Sequence, residues 1–83
     1  MLMKRSDTRK IHLPVISGRE GDIIITRWIV REGDSVRMGD DLVEVSTDKA
    51  TFDVPSPAEG RIVSIRKREG EAARTGDIIA EII

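Results

Sequence analysis

Short apolar runs, broken by turns rich in glycine and aspartate, fill this chain from Lys10 to its last residue. Asp22–Val30 ("DIIITRWIV"), Asp41–Thr47 ("DLVEVST"), Arg61–Arg68 ("RIVSIRKR") and Asp77–Ile82 ("DIIAEI") each concentrate Ile and Val within a few positions. No segment carries an apolar stripe at the three-and-four spacing of a helix. β-Branched side chains suit a pleated strand and lose rotamer freedom in a helix. The pattern predicts eight strands, at Lys10–Val15, Asp22–Val30, Ser35–Arg37, Asp41–Thr47, Ala50–Pro55, Arg61–Arg68, Ala72–Arg74 and Asp77–Ile82. The fold class is all-β. The polar stretch over residues 1–9 is expected to be a flexible N-terminal tail, leaving residues 10–83 as the domain.

The same pattern occurs twice. "REGDSVRMGDDLVEV", Arg31 to Val45, aligns without gaps on "REGEAARTGDIIAEI", Arg68 to Ile82, and pairs Arg31 with Arg68, Gly33 with Gly70, Gly39 with Gly76, Asp40 with Asp77 and Glu44 with Glu81. Two copies are too few to cap and stack a solenoid. Two four-strand units that each leave an apolar face wet can instead bury both faces against one another. The expected architecture is a flattened eight-strand barrel or sandwich of two quasi-symmetric halves.

The halves meet at "VEVSTDKATFDVPSP", where two extended segments join at Asp48-Lys49. Hairpin tips usually carry Gly or Asn, which adopt tight-turn geometry cheaply. Here the tip carries a lysine, held by strands on both sides. In a two-fold arrangement this hairpin projects at one end, and its symmetry counterpart lies near the chain termini.

Composition narrows the function. Charge is balanced, with 14 Lys and Arg against 15 Asp and Glu, and a formal net charge of −1, which argues against a general nucleic-acid binder. The 83 residues suffice for one domain near the lower limit of a self-sufficient core. There is no cysteine, so disulfides and thiolate metal sites within the chain are excluded. No apolar run approaches membrane-spanning length, and "MLMKRSDTRK" lacks the apolar segment of a secretory signal. The cytoplasm, or the mitochondrial matrix in a eukaryote, is the expected compartment.

No catalytic constellation stands out. His12 is the sole histidine and reads as a strand or surface residue. Glu32, Asp34, Asp40, Asp41, Asp77 and Glu81 sit in or beside repeat turns, where turn chemistry and solvation explain them. Gly33, Gly39, Gly70 and Gly76 lack the strand-to-helix context of a phosphate loop and read as turn glycines. "RKR" at Arg66 to Arg68 is a solvated strand face, with a docking patch as the sharper alternative. Trp28 is expected as a core anchor, and Ala50, Phe52 and Val54 should share one face of their strand.

With these residues in place, "EGDSVRMGDDLVEVSTDKATFDVPSPAEGRIVSI" resembles the lipoyl domains of 2-oxo acid dehydrogenase complexes, found in the dihydrolipoyl acyltransferase subunit. Leu13-Pro14, Trp28, Glu32 to Asp34, Gly39-Asp40 and above all "TDKATFDVPSPAEG", Thr47 to Gly60, carry the resemblance. It implies a barrel-sandwich hybrid with lipoic acid joined by an amide to Lys49, and with Asp48 and Ala50 as the neighbours that a lipoate ligase or lipoyl transferase recognises. It further implies a swinging arm that accepts an acyl group from a thiamin-diphosphate-dependent 2-oxo acid decarboxylase. The arm delivers that group to coenzyme A at an acyltransferase core, and a flavin-dependent dihydrolipoyl dehydrogenase reoxidises it. The domain itself is then a non-catalytic, monomeric carrier with neither nucleic acid nor membrane as partner.

The sequence departs from the family pattern in two places. Ser46 stands where an acidic residue is common, three positions before the lysine, and Glu20-Gly21 falls early, so that the loop Ile16 to Gly21 is atypical. In the family that loop lies near the lysine turn and helps partners recognise their own domain. Two rival readings share the fold. A biotin carrier domain would place methionine on both sides of the lysine, where this chain has Asp48 and Ala50. An unmodified barrel module for protein interaction would leave Lys49 without an attached group.

Overall fold

The computed structural model describes residues 8–15 and 23–83. The expected loop Ile16 to Gly21 lies outside the described residues, as does most of the expected tail. Arg9, assigned to that tail from sequence, opens the first strand.

Eight strands follow one another with no helix among the described residues: β1 Arg9–His12, β2 Ile23–Trp28, β3 Ser35–Val36, β4 Asp41–Ser46, β5 Thr51–Pro55, β6 Gly60–Ile65, β7 Ala72–Ala73 and β8 Ile78–Ile82. They form two four-stranded sheets, ordered β1-β8-β6-β3 and β5-β4-β2-β7, with every pair antiparallel. Carrying β1 to β4 onto β5 to β8 converts one sheet order into the other, which is the two-fold expected from the repeat. The halves do not each form a sheet, however. Each sheet takes two strands from each half, because β1 and β3 flank the central β8-β6 pair of one sheet, and β5 and β7 flank the central β4-β2 pair of the other. The halves interlock, so neither can bury its apolar face without the other.

Register repeats as faithfully as sequence. Val45 pairs with Ile25 as Ile82 pairs with Ile62, and Glu44 with Arg27 as Glu81 with Ser64. Both ladders therefore skip one residue, at Thr26 and at Val63. A second pair of bulges explains why the two-residue alternation fails at Leu42-Val43 and Ile79-Ala80, where consecutive side chains are buried.

The core between the sheets is aliphatic: Ile25, Leu42, Val43, Val45, Ile62 and Ile79 are fully buried. Both aromatic residues lie at its margin. Trp28, expected at the centre, is half-buried and donates its indole N–H to the Lys67 carbonyl at 2.7 Å. A ring carrying a donor is better placed where that donor finds an acceptor. Phe52 packs half-buried on the core and Val54 lies inside it, while Ala50 precedes β5 and is exposed.

The repeat glycines occupy left-handed conformations, with φ of 98° at Gly33 and 94° at Gly76, which a Cβ would strain. The acidic residues beside them accept backbone hydrogen bonds. Asp34, Asp40 and Asp77 each accept from the N–H three residues earlier at 2.9 Å, and Glu71 accepts from Arg68. Two glutamates reach further. Glu32 accepts from the Ile65 N–H at 2.8 Å and Glu69 from the Trp28 N–H at 2.9 Å, so each repeat turn caps a strand of the other half.

Candidate functional site

β4 and β5 end their ladder at Ser46 opposite Thr51, and four residues, Thr47 to Ala50, turn the chain. The Thr47 N–H donates to the Ala50 carbonyl at 2.8 Å. The return bond of an ordinary hairpin pair, from the Ala50 N–H to the Thr47 carbonyl, is not formed. Instead the Thr47 hydroxyl oxygen accepts from the Lys49 N–H at 3.1 Å and from the Ala50 N–H at 3.2 Å. Among the described residues none other than glycine has positive φ, so Asp48 and Lys49 turn without left-handed backbone. That resolves the puzzle of a tip without glycine.

Asp48, Lys49 and Ala50, the three site residues expected from sequence, are all exposed at this apex. The ion pairs among the described residues join Arg27 to Glu44 and Arg66 to Glu81, and neither engages Lys49. Its amine is therefore presented to solvent from a tip anchored on both flanks. This suits a group to be acylated: an enzyme can reach it, and the hairpin fixes the direction in which an attached chain leaves. The counterpart of the apex under the pseudo-two-fold is the pairing of Arg9 with Ile82, at the ends of the outermost strands of the repeat.

Ser46 is half-buried between Ile24 and Thr51, one residue below the turn. His12 is exposed on β1, with Nδ1 2.9 Å from the Gly76 carbonyl. Of the "RKR" residues, Arg66 bonds to Glu81, and Lys67 gives its carbonyl to Trp28. The Arg66 guanidinium hydrogen-bonded to Glu81 holds that carboxyl below its usual range, against partial desolvation and with further help from Lys10 and Thr8. No group of three or more His, Cys, Asp or Glu is assembled for a metal ion among the described residues. Two of the surface depressions, one lined by Ser35, Arg37, Asp40 and Ile83 and one by Trp28, Glu32, Arg68 and Glu69, do not include Lys49. Sequence reasoning passed over Thr47. The available signal was a hydroxyl residue two positions before the lysine, the spacing at which such side chains accept from following backbone N–H groups.

Comparison with known proteins places this geometry. The Biotin_lipoyl profile, described as "Biotin-requiring enzyme", matches residues 9–82. The chain belongs to the Biotin_lipoyl family. It is 38% identical over 63 residues, 76% of its length, to the dihydrolipoyllysine-residue acetyltransferase component of the pyruvate dehydrogenase complex of Staphylococcus aureus. The corresponding component of Mycobacterium bovis is 36% identical over 76 residues, 92% of the chain. The chain spans only 14% of the length of either curated relative. Among solved structures, the lipoyl domain of the 2-oxoglutarate dehydrogenase complex of Azotobacter vinelandii superposes with a TM-score of 0.69 at 25% identity, covering 88% of this chain and 95% of that one. Urea carboxylase of Kluyveromyces lactis contains the same fold, with a TM-score of 0.77 at 18% identity over 99% of this chain and 7% of its own. As a member of the Biotin_lipoyl family, the chain is a carrier module rather than a catalytic domain.

Proposed function

We propose that the chain is a lipoyl carrier domain of a 2-oxo acid dehydrogenase complex, with lipoic acid joined through an amide to Nζ of Lys49. The observation that carries this reading is the lysine itself, exposed and without an ion pair among the described residues, at the junction of two interlocked halves. Its neighbours favour lipoate over biotin, since Asp48 and Ala50 replace the flanking methionines of biotin carriers. The sequence relatives are acyltransferase components, whereas the urea carboxylase likeness speaks for fold alone.

On this reading Lys49 supplies the amine that a lipoate ligase or lipoyl transferase acylates, and Asp48 and Ala50 are the neighbours that the ligase inspects. Acylation removes the lysine charge and leaves a long neutral arm on the apex. When bound, the dithiolane supplies a disulfide that can be reductively acylated and reoxidised. The chain's own part is to hold the attachment point and to be recognised by the thiamin-diphosphate-dependent decarboxylase, the acyltransferase core and the flavin-dependent dehydrogenase. Tethering keeps the arm at high local concentration beside each of them.

Incubation with lipoate ligase, ATP and lipoate, beside a parallel biotin-ligase reaction, tests the proposal by intact mass and peptide mapping. One lipoyl addition at Lys49, abolished by Lys49→Arg with folding unchanged, is the expected result. Addition of biotin alone would move the chain to carboxyl transfer. No addition to a folded sample would leave the unmodified interaction module.

A further inference from the structure

Thr47 is joined to the lysine turn by more hydrogen bonds than any other side chain there. Its hydroxyl accepts from two successive N–H groups, Lys49 at 3.1 Å and Ala50 at 3.2 Å, and lies 3.3 Å from the Ala50 carbonyl. A two-residue hairpin loop normally needs positive φ at its tip to match the twist of its strands. Asp48 and Lys49 have none. Without left-handed residues the strands splay, and the bond from the Ala50 N–H to the Thr47 carbonyl is lost. The hydroxyl, standing out from the backbone on Cβ, intercepts that N–H and the next one toward the tip.

We propose that Thr47 is the positioning residue of the attachment site, fixing the backbone of Lys49 so that a modifying enzyme meets the amine in one orientation. The proposal rests on the carrier reading for its enzymatic consequence, though not for its structural one. By replacing backbone strain with a side-chain acceptor, Thr47 frees positions 48 and 49 from any need for glycine. Their residues can then be chosen for recognition and chemistry. Both N–H groups are exposed, so in the absence of the hydroxyl water would satisfy them at small cost to global stability. The loss would fall on the order of the tip. A ligase would then have to freeze a loose lysine backbone as it binds, and ordering of this kind slows a reaction that depends on alignment.

The test uses the 83-residue chain with Thr47→Val, which keeps the shape and removes the acceptor, and Thr47→Ser, which keeps the acceptor. Amide hydrogen exchange at Lys49 and Ala50 is measured by NMR, the lipoate-ligase kcat/KM by intact mass, and the thermal midpoint by circular dichroism. Thr47→Val should speed exchange at both amides by about three- to tenfold, the loss of one net hydrogen bond each, and lower kcat/KM by a similar factor. Thr47→Ser should restore both. If Thr47→Val proves too unstable to compare, Thr47→Ala, which also removes the acceptor, replaces it and should show the same faster exchange and slower modification. Several results would overturn the proposal: unchanged exchange in Thr47→Val or Thr47→Ala, faster exchange with an unchanged modification rate, or a serine variant that fails as valine does. Failure of the parent chain to accept lipoate would refute the carrier reading instead, while the exchange data would still decide what Thr47 does to the turn.

Discussion

Replacing Gly60 with alanine sets two expectations of opposite sign against each other. Gly60 opens β6 with φ outside the left-handed region, so conformational freedom is not what the position requires. At an open strand position with compatible φ, alanine would stabilise by about 0.4–1 kcal/mol by narrowing the unfolded ensemble. Here a Cβ would overlap the Ile83 carbonyl oxygen and stand 3.0 Å from Cγ1 of Ile82. The obstacle is backbone, so the end of β8 must retreat. That carbonyl accepts from the Arg61 N–H at 3.0 Å, the Ile83 N–H donates to the Arg61 carbonyl at 2.9 Å, and Ile82 is 2% exposed in the core. Losing two hydrogen bonds at about 1 kcal/mol each, with part of the Ile82 burial, costs about 2–3 kcal/mol. For a domain of this size that is a fall of roughly 10–20 °C in Tm. Equilibrium urea unfolding followed by fluorescence of Trp28 measures the difference. The symmetry-equivalent residue, Ile23, buries a full side chain, so its position offers the contrast of a site where a Cβ fits. Gly60→Ala at or above parent stability would refute the reasoning.

Other predictions follow from the same geometry. Ile25→Val and Ile62→Val remove a buried methylene at equivalent positions, so each should cost about 1 kcal/mol and the two should agree within about 0.5 kcal/mol in chemical denaturation. Glu69→Ala should lower stability by about 1 kcal/mol through the uncapped Trp28 N–H, and Glu32→Ala by a similar amount through Ile65; melts that match the parent would show that water serves as well. The lowered carboxyl of Glu81 stabilises the fold above its unfolded-state value, and this stabilisation is lost as pH falls through the folded value. The stability gap between the parent and Glu81→Gln should therefore shrink on acidification from about pH 6 to about pH 3, whereas a constant gap would contradict the pairing with Arg66. Lys49→Arg should leave stability within about 0.5 kcal/mol of the parent in chemical denaturation, since an exposed apex side chain carries little packing.

Much of the molecule is legible in its sequence because the relevant signals are local. Runs of Ile and Val between turn residues mark the longer strands, the turns and the repeat mark the short ones, and the structure moves their ends mainly where turns take residues from them. Ala50 is consumed by the hairpin, and Arg66 to Arg68 leave β6 to meet Glu81, Trp28 and Glu71. Pairing Arg31–Val45 with Arg68–Ile82 announces the two-fold, and the lysine turn is written in consecutive residues. Local turn chemistry also accounts for the repeat glycines.

What the chain by itself could not decide is set by residues far apart in sequence. Alternation says which side chains face inward, but not which sheet a strand joins. The placement of β1 and β3, and of β5 and β7, depends on edges supplied by the opposite half. The bulges that bury Leu42 beside Val43, and Ile79 beside Ala80, arise where two strands must match a twist that neither contains alone. Glu32 and Glu69 look like turn residues until folding brings Ile65 and Trp28 within reach. Gly60 becomes obligatory only because the carbonyl of Ile83 arrives beside it. Sequence determined the elements, their repetition and the exposed lysine; long-range packing decided how the halves interlock, because a backbone acquires partners at a distance only when the whole core closes.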